Sequence, residues 1–428
     1  RDLWRDPIFR KKLLRSFGTL GEVEPRLADE EQEFYAEITE LIGENPGEAR
    51  DQILAFLREN PDASALFDFN AGNIFFNEGN SVRAAALFKS ALKKWPEFRR
   101  AHQALAMVYF RAEKFPEAIK HFSKAVELGA ADGTVFGLLG SSCLSAESYA
   151  QAESGFRNAI LMQPDVKEWK LGLATALLMQ EQYGSAAAII GKMIESDPLN
   201  GDLWDMQARA YIGAKENLKA AANYEFLDGI GALDAELLKF LGDIYINEGM
   251  LGLAADTYVR SFAKAPATDV KPILQAAEVL IYRGGTNEAN ELLRRIEADT
   301  PDLSRDNRVA MLRLRAKIAT DAGQAGEAGR LLEEALDLSP ADGKAIIMYG
   351  NHLKENDELD RAELIYSRAL EIEGFRPESR VRLAQLHVRK EDFKKAVELL
   401  KAAQNIEYNE KVSDYLEDIE RVVKRRGG

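Results

Sequence analysis

The chain has 428 residues, 46% of them apolar and 29% charged, the balance of an ordered, soluble protein. Its 70 acidic residues against 56 basic ones give a net charge of −14, which argues against nucleic acid as the main partner, because phosphate neutralisation needs clustered cations. One cysteine, Cys143, allows no internal disulfide, and no apolar run reaches the length of a membrane span.

The first residue is Arg1 rather than Met, so an upstream segment is expected, either a signal peptide or residues lost at a trimmed boundary. Residues 1–30 form a non-repeat extension in which Arg1, Arg5, Arg10, Lys11, Lys12 and Arg15 surround Leu3, Trp4, Ile8, Phe9, Leu13, Leu14 and Phe17. The expectation is a cap over the first hairpin; the alternative is a basic, aromatic docking arm or a membrane-surface contact. Residues 31–64 read as a degenerate pair of helices, with Phe34, Ile38, Leu41 and Ile42 on one face and Ile53, Leu54 and Leu57 on the other.

From Ala65 the pattern becomes regular. Units begin near Ala65, Arg99, Gly133, Lys167, Gly201 and Ala235 in unbroken 34-residue register, and a seventh begins near Val270, one residue late, completing an array over 65–303. A polar insert follows at 304–308, the candidate for a bend, and three more units occupy 309–410. Residues 411–428 hold an amphipathic helix with Val412, Tyr415, Ile419 and Val422 on one face, which suits a solvating cap.

Within each unit three positions carry the fold. The eighth is Gly or Ala throughout, from Gly72, Ala106 and Gly140 to Gly350 and Ala384, and the twentieth is Ala in all ten units, from Ala84 to Ala396. Two helices of one hairpin approach closely at these places, and any larger side chain would force the axes apart. The twenty-fourth is a large apolar plug, as at Phe88, Phe122, Phe156, Ile190, Tyr224 and Tyr366. Prolines at position 32, among them Pro96, Pro164 and Pro198, end the second helix.

No catalytic, cofactor or metal constellation emerges. His102, His121, His352 and His387 include no pair at the i, i+4 spacing of a zinc helix, and Cys143 sits at the eleventh position, where a packed inert thiol is expected. Gly229-Ile230-Gly231 lacks the third glycine of a dinucleotide loop, and Gly343-Lys344 lacks the remainder of a phosphate loop. The expectation is a protein that is not an enzyme.

The unit Phe136-x2-Leu139-Gly140, Ala152-x3-Phe156-x2-Ala159, Pro164 resembles the tetratricopeptide repeat (TPR), and the resemblance extends over about residues 31–410. It implies an all-α solenoid, a right-handed superhelix of antiparallel helix hairpins. It also implies a concave face lined by the first helix of each unit, at positions 2, 5, 9, 12 and 13. In the early units that places Phe69, Asn73, Phe76, Asn77, Gln103, Met107, Phe110, Arg111, Ser141 and Leu144 on a partner-binding surface, with Phe76 and Phe110 as inter-repeat core the opposing reading. In later units Arg313 and Lys317, with Lys344, Arg382 and Arg389, are candidates for a basic strip that steers a partner, preceded by acidic Glu236, Asp243 and Glu278, with an ordinary solvated surface the favoured reading. The chaperone-tail clamp of co-chaperone TPR domains and the asparagine ladder of glycosyltransferase-linked arrays are each matched at one place, Asn73 and Asn70, and fail elsewhere.

A narrower resemblance rests on Arg1-Asp-Leu-Trp-Arg-Asp-Pro7, Gly21-Glu-Val-Glu-Pro25, Phe67-Asp-Phe-Asn-Ala-Gly-Asn73 and Leu241-Gly-Asp-Ile-Tyr-Ile-Asn-Glu-Gly249. These stretches look like bacterial TPR proteins encoded beside TonB, ExbB and ExbD. The resemblance implies a periplasmic accessory touching that machinery or an outer-membrane transporter. The functional expectation is a non-catalytic adaptor holding a peptide or partner segment. Its alternatives are a cytoplasmic assembly scaffold and a regulatory or substrate-recognition subunit of an enzyme.

Overall fold

The computed structural model describes residues 24–130, 132–264, 270–300 and 302–426. The expected roles for residues 1–23, as cap or docking arm, lie outside the described residues. The described residues are all-α apart from two short 3-10 turns, with helices following one another as antiparallel pairs. The pairs begin with Gln32–Glu44 and Pro46–Glu59, the degenerate hairpin expected from sequence, closed around Ile38 and Ile53. Regular hairpins follow, such as Ala65–Asn77 with Ser81–Lys94, Gly133–Ser145 with Tyr149–Met162, and Gly343–Glu355 with Leu359–Ala369. The chain divides into two compact units, residues 1–223 and 224–428, so the division falls inside helix Asn217–Gly229 and not at the 304–308 insert.

The repeat positions do what their volumes require. All ten alanines at position 20 are fully buried, and so is every residue at position 8. At position 24 the plugs from Phe88 to Leu400 expose no more than 2% of their surface. Gly at position 8 occurs where position 24 is aromatic: a Cβ on Gly72, Gly140, Gly242 or Gly350 would come within 3.0 Å of the ring of Phe88, Phe156, Tyr258 or Tyr366. Phe156 also reaches the next hairpin, where a Cβ on Gly172 would come within 2.4 Å of its ring. One aromatic thus seals both its own hairpin and the joint to its neighbour.

Each first helix of the ten units ends in the same way. Position 15 has positive φ in all ten units: glycine at Gly79, Gly249, Gly284 and Gly323, and Glu113, Glu147, Glu181, Lys215, Asp357 and Glu391 elsewhere. At Glu147 the amide donates to the Leu144 carbonyl at 3.0 Å, and Ser148 N–H donates back to Cys143 O at 2.8 Å. This is a Schellman cap, which satisfies orphan carbonyls by placing one residue in the left-handed region.

One expectation is refined and one corrected. The insert 304–308, the candidate for a bend, is helical: Ser304 caps and Arg305 begins a helix running to Asp321, 17 residues long, so the extra residues add about one turn to the first helix of that unit. Ser304 Oγ accepts the Asn307 amide, and Asp306 sits in the first turn, where a carboxylate favours helix initiation. Phe69, expected on the open face, is 7% exposed and packs against Phe88 and Phe98. At the far end, helix Glu410–Arg426 lays Val412, Tyr415, Leu416 and Ile419 against the hairpin of Arg376–Arg389 and Phe393–Gln404.

Candidate partner-binding groove

In the N-terminal unit, first helices Ala65–Asn77, Arg99–Arg111 and Gly133–Ser145 touch in succession and make one continuous face. Asn77 and Arg111 are exposed on it; Asn73, Phe76, Gln103, Met107, Phe110, Ser141 and Leu144 are half-buried. Phe76 and Phe110 join the packed clusters yet keep some exposed surface. The Arg111 guanidinium lies 4.2 Å from the centre of the Phe76 ring, a cation–π contact between neighbouring units. Ser141 Oγ is turned inward to its own helix, donating to Gly137 O at 3.0 Å.

In the C-terminal unit the corresponding face opens into a groove of about 830 Å³ between helices Lys271–Tyr282, Arg305–Asp321 and Gly343–Glu355. Leu274, Ile281, Leu314 and Met348 supply apolar lining, while Gln275, Glu278, Lys317, Lys344 and Glu355 supply exposed polar lining. Ser304, Asp306 and Asn307 of the added turn line it too, so the insert shapes the groove. Tyr282, 89% exposed, stands on the same lining. A wide apolar floor with a few directed polar groups is the usual build of a site for a peptide or small ligand.

The candidate basic strip lies on a surface of mixed charge. Arg313 meets Asp342 at 3.3 Å, Lys317 meets Asp321 at 2.6 Å, Arg382 meets Glu378 at 3.0 Å and Arg389 meets Asp357 at 3.0 Å. Lys344 has no ion-pair partner among the described residues. The acidic stretch likewise disperses: Glu236 pairs with Lys239, Asp243 accepts from Tyr258 Oη, and Glu278 remains on the groove wall. Arg313 and Lys317 therefore present hydrogen-bonding cations held in place by their own acids.

Groups with chemical potential elsewhere are packed. Cys143 is 1% exposed, and burial pushes its thiol up to about 11. His102 and His121, 19 residues apart, face one another with Nδ1 atoms 2.9 Å apart, and His102 Nε2 lies 3.0 Å from the Pro96 carbonyl oxygen. Since a carbonyl only accepts, His102 carries its proton on Nε2, and His121 Nδ1–H donates to His102 Nδ1. Burial, then His102, Lys120 and Lys89, lower His121 to about 4. His387 lies half-buried, 3.6 Å from each of Glu363 and Asp392. Among the described residues no cluster of three or more His, Cys, Asp or Glu is arranged to hold a metal, and no helix is long and apolar enough to cross a membrane.

The chain matches the tetratricopeptide repeat family over residues 69–133, 144–210 and 319–378. No curated protein matches it in sequence. Similar solved structures include Naa15/Naa10 bound to HypK, at 16% identity over 91% of this chain and 66% of that one, with a TM-score of 0.49. Yeast Tom70 is 14% identical over 85% of this chain and 96% of its own, with a TM-score of 0.37. YrrB, described as a TPR protein with an unusual peptide-binding site, is 22% identical over 48% and 96%, also at 0.37. Tetratricopeptide repeats are thus matched in segments of both compact units.

Proposed function

We propose that this chain is a non-catalytic adaptor that holds a segment of a partner protein in the groove of its C-terminal unit. The observation that carries the reading is the groove itself, in which three first helices expose apolar floor, paired cations and the unburied ring of Tyr282. Such a floor rewards apolar side chains of an extended segment, while Lys317, Lys344 and Glu278 fix its register. Photo-crosslinking in cells from a p-benzoylphenylalanine at Tyr282, followed by mass spectrometry, tests it. A protein adduct mapped to one contiguous partner segment supports the reading, and the absence of any protein adduct there sinks it.

The same experiment separates the narrower proposals. Capture of TonB, ExbB, ExbD or an outer-membrane transporter favours a periplasmic accessory of a TonB-type envelope system, a proposal resting on the four stretches quoted above. Capture of cytoplasmic proteins alone favours an assembly scaffold. A catalytic subunit that co-purifies in fixed stoichiometry favours a regulatory or substrate-recognition role.

A further inference from the structure

We propose, on the reading of the C-terminal groove as a partner site, that it selects an extended segment with two acidic residues about six positions apart, each beside a basic residue, and uncharged residues between them. Each first helix is followed by an antiparallel second helix, so Lys271–Tyr282, Arg305–Asp321 and Gly343–Glu355 run side by side in one direction. Lys271 and Lys344 stand at the heads of the outer two helices, while Glu278 and Glu355 lie roughly 10 and 16 Å further along them. The groove therefore carries lysines along one wall and glutamates along the other. All four side chains are exposed, and none has an ion-pair partner among the described residues. Lys354, the neighbour of Glu355, is not on the lining.

Between the outer helices the charges are neutralised internally, Arg313 by Asp342 and Lys317 by Asp321, beside the apolar floor of Leu314 and Met348. Asp306, exposed on the added turn of the helix between the two lysines, repels a third acid there. Packed helices lie about 8–10 Å apart, so the two lysines are separated by roughly 16–20 Å, which an extended chain covers in about six residues. In such a chain neighbouring side chains point to opposite sides, so an acid turned to the lysine wall sets the next residue towards the glutamate wall. Asn351 favours an extended occupant over a helix. Its Oδ1 accepts from Tyr366 Oη at 2.7 Å, which fixes the amide and leaves Nδ2 to donate to a backbone carbonyl, a group that a helix has already paired internally. Charges at the edge of an apolar floor set register and partner choice more than affinity, so the pattern is a specificity device.

The test selects peptides from a random display library on the full chain, then titrates the enriched peptides, labelled with fluorescein, against the parent and two variants. One variant reverses the lysine wall, Lys271→Glu/Lys344→Glu; the other reverses the glutamate wall, Glu278→Lys/Glu355→Lys. All four positions are exposed, so neither variant disturbs the core. Enriched peptides should carry acids about six positions apart and should bind each variant about tenfold more weakly than the parent. Replacing those acids by lysine in the peptide should restore binding to the lysine-wall variant and weaken binding to the parent. Peptides without the charge pattern, or affinities unchanged on both variants, would overturn the inference while the groove reading stands. Acids spaced about three or four apart would assign a helical occupant and overturn it as well. A library with no binder, or binders indifferent to Tyr282→Ala/Lys317→Glu, would remove the groove reading itself, and this inference with it.

Discussion

Protonation of the His102–His121 pair should loosen the hairpin of helices Arg99–Arg111 and Phe115–Glu127. The pair is built for neutral rings: burial lowers both, and the surrounding charges are Lys89, Lys120 and Lys124, with only Glu127 opposing them. Lys124 is itself paired with Glu127 at 3.0 Å. A base whose folded value is depressed is neutral in the native state where the unfolded chain binds a proton. Its contribution is therefore fully present above about pH 6.5 and is lost as pH falls towards about 4. A shift from 6.5 to about 4 corresponds to roughly 3 kcal/mol, and residual solvation of the half-buried ring reduces this to roughly 1–2 kcal/mol. Because a repeat array need not unfold in one step, amide hydrogen exchange within helices 99–111 and 115–127 is the right readout. Comparing the parent with His121→Gln at pH 7.5 and at pH 5 cancels carboxylate effects common to both. The parent-to-variant protection ratio should fall by about 3–15-fold on acidification to pH 5, where only part of the contribution is lost. An equal ratio at the two pH values would refute the argument.

Four further outcomes follow from packing and backbone geometry. A Cβ on Gly155 would come within 2.8 Å of the Gly140 backbone and 3.0 Å of the Phe136 carbonyl, none of which can swing aside, so Gly155→Ala should destabilise by roughly 1–3 kcal/mol in urea despite better helix propensity. Ala152→Leu, at a fully buried position 20 of the same hairpin, should cost a similar amount, on the order of 1–3 kcal/mol; a Leu variant as stable as the parent would contradict the register. Glu147→Gly, at φ 59, should raise stability by roughly 0.5–1 kcal/mol, the relief of a left-handed residue offset by the looser unfolded chain. Cys143 should resist iodoacetamide at pH 8 in the native protein and react promptly in urea, since its thiol is buried and pushed up to about 11.

Volume was the legible part of this sequence. Positions 8, 20 and 24 answer to the distance between two helix axes, a constraint local to each hairpin, and the structure buries every one of them. The left-handed turn at position 15 was equally available, because Gly79, Gly249, Gly284 and Gly323 mark it at fixed spacing. The histidine pair could also have been found: positions 8 and 20 face one another across the hairpin, so positions 4 and 23, His102 and His121, must lie nearly opposite. Capping chemistry at Ser304 pointed to a helix where the polar insert alone suggested a bend. Charge was not legible in the same way. Arg313 takes its partner Asp342 from the N-cap of the following first helix, 29 residues on, so a strip of cations in one helix says nothing about the carboxylates that neutralise it. Phe69 misled for a related reason, since its ring turns into a pocket made by Phe88 and Phe98 of the neighbouring elements.

Whether the C-terminal groove holds a partner segment is most directly measured by selecting peptides from a random display library on the intact chain. The selected peptides are then titrated against the parent and against Tyr282→Ala/Lys317→Glu. Both side chains are exposed on the groove lining, so folding is preserved while the proposed contacts are removed. Enriched peptides should lose about tenfold or more in affinity on the double variant, a change of about 1.4 kcal/mol. Peptides that bind parent and variant alike, or a library that yields no enriched binder, would contradict the account.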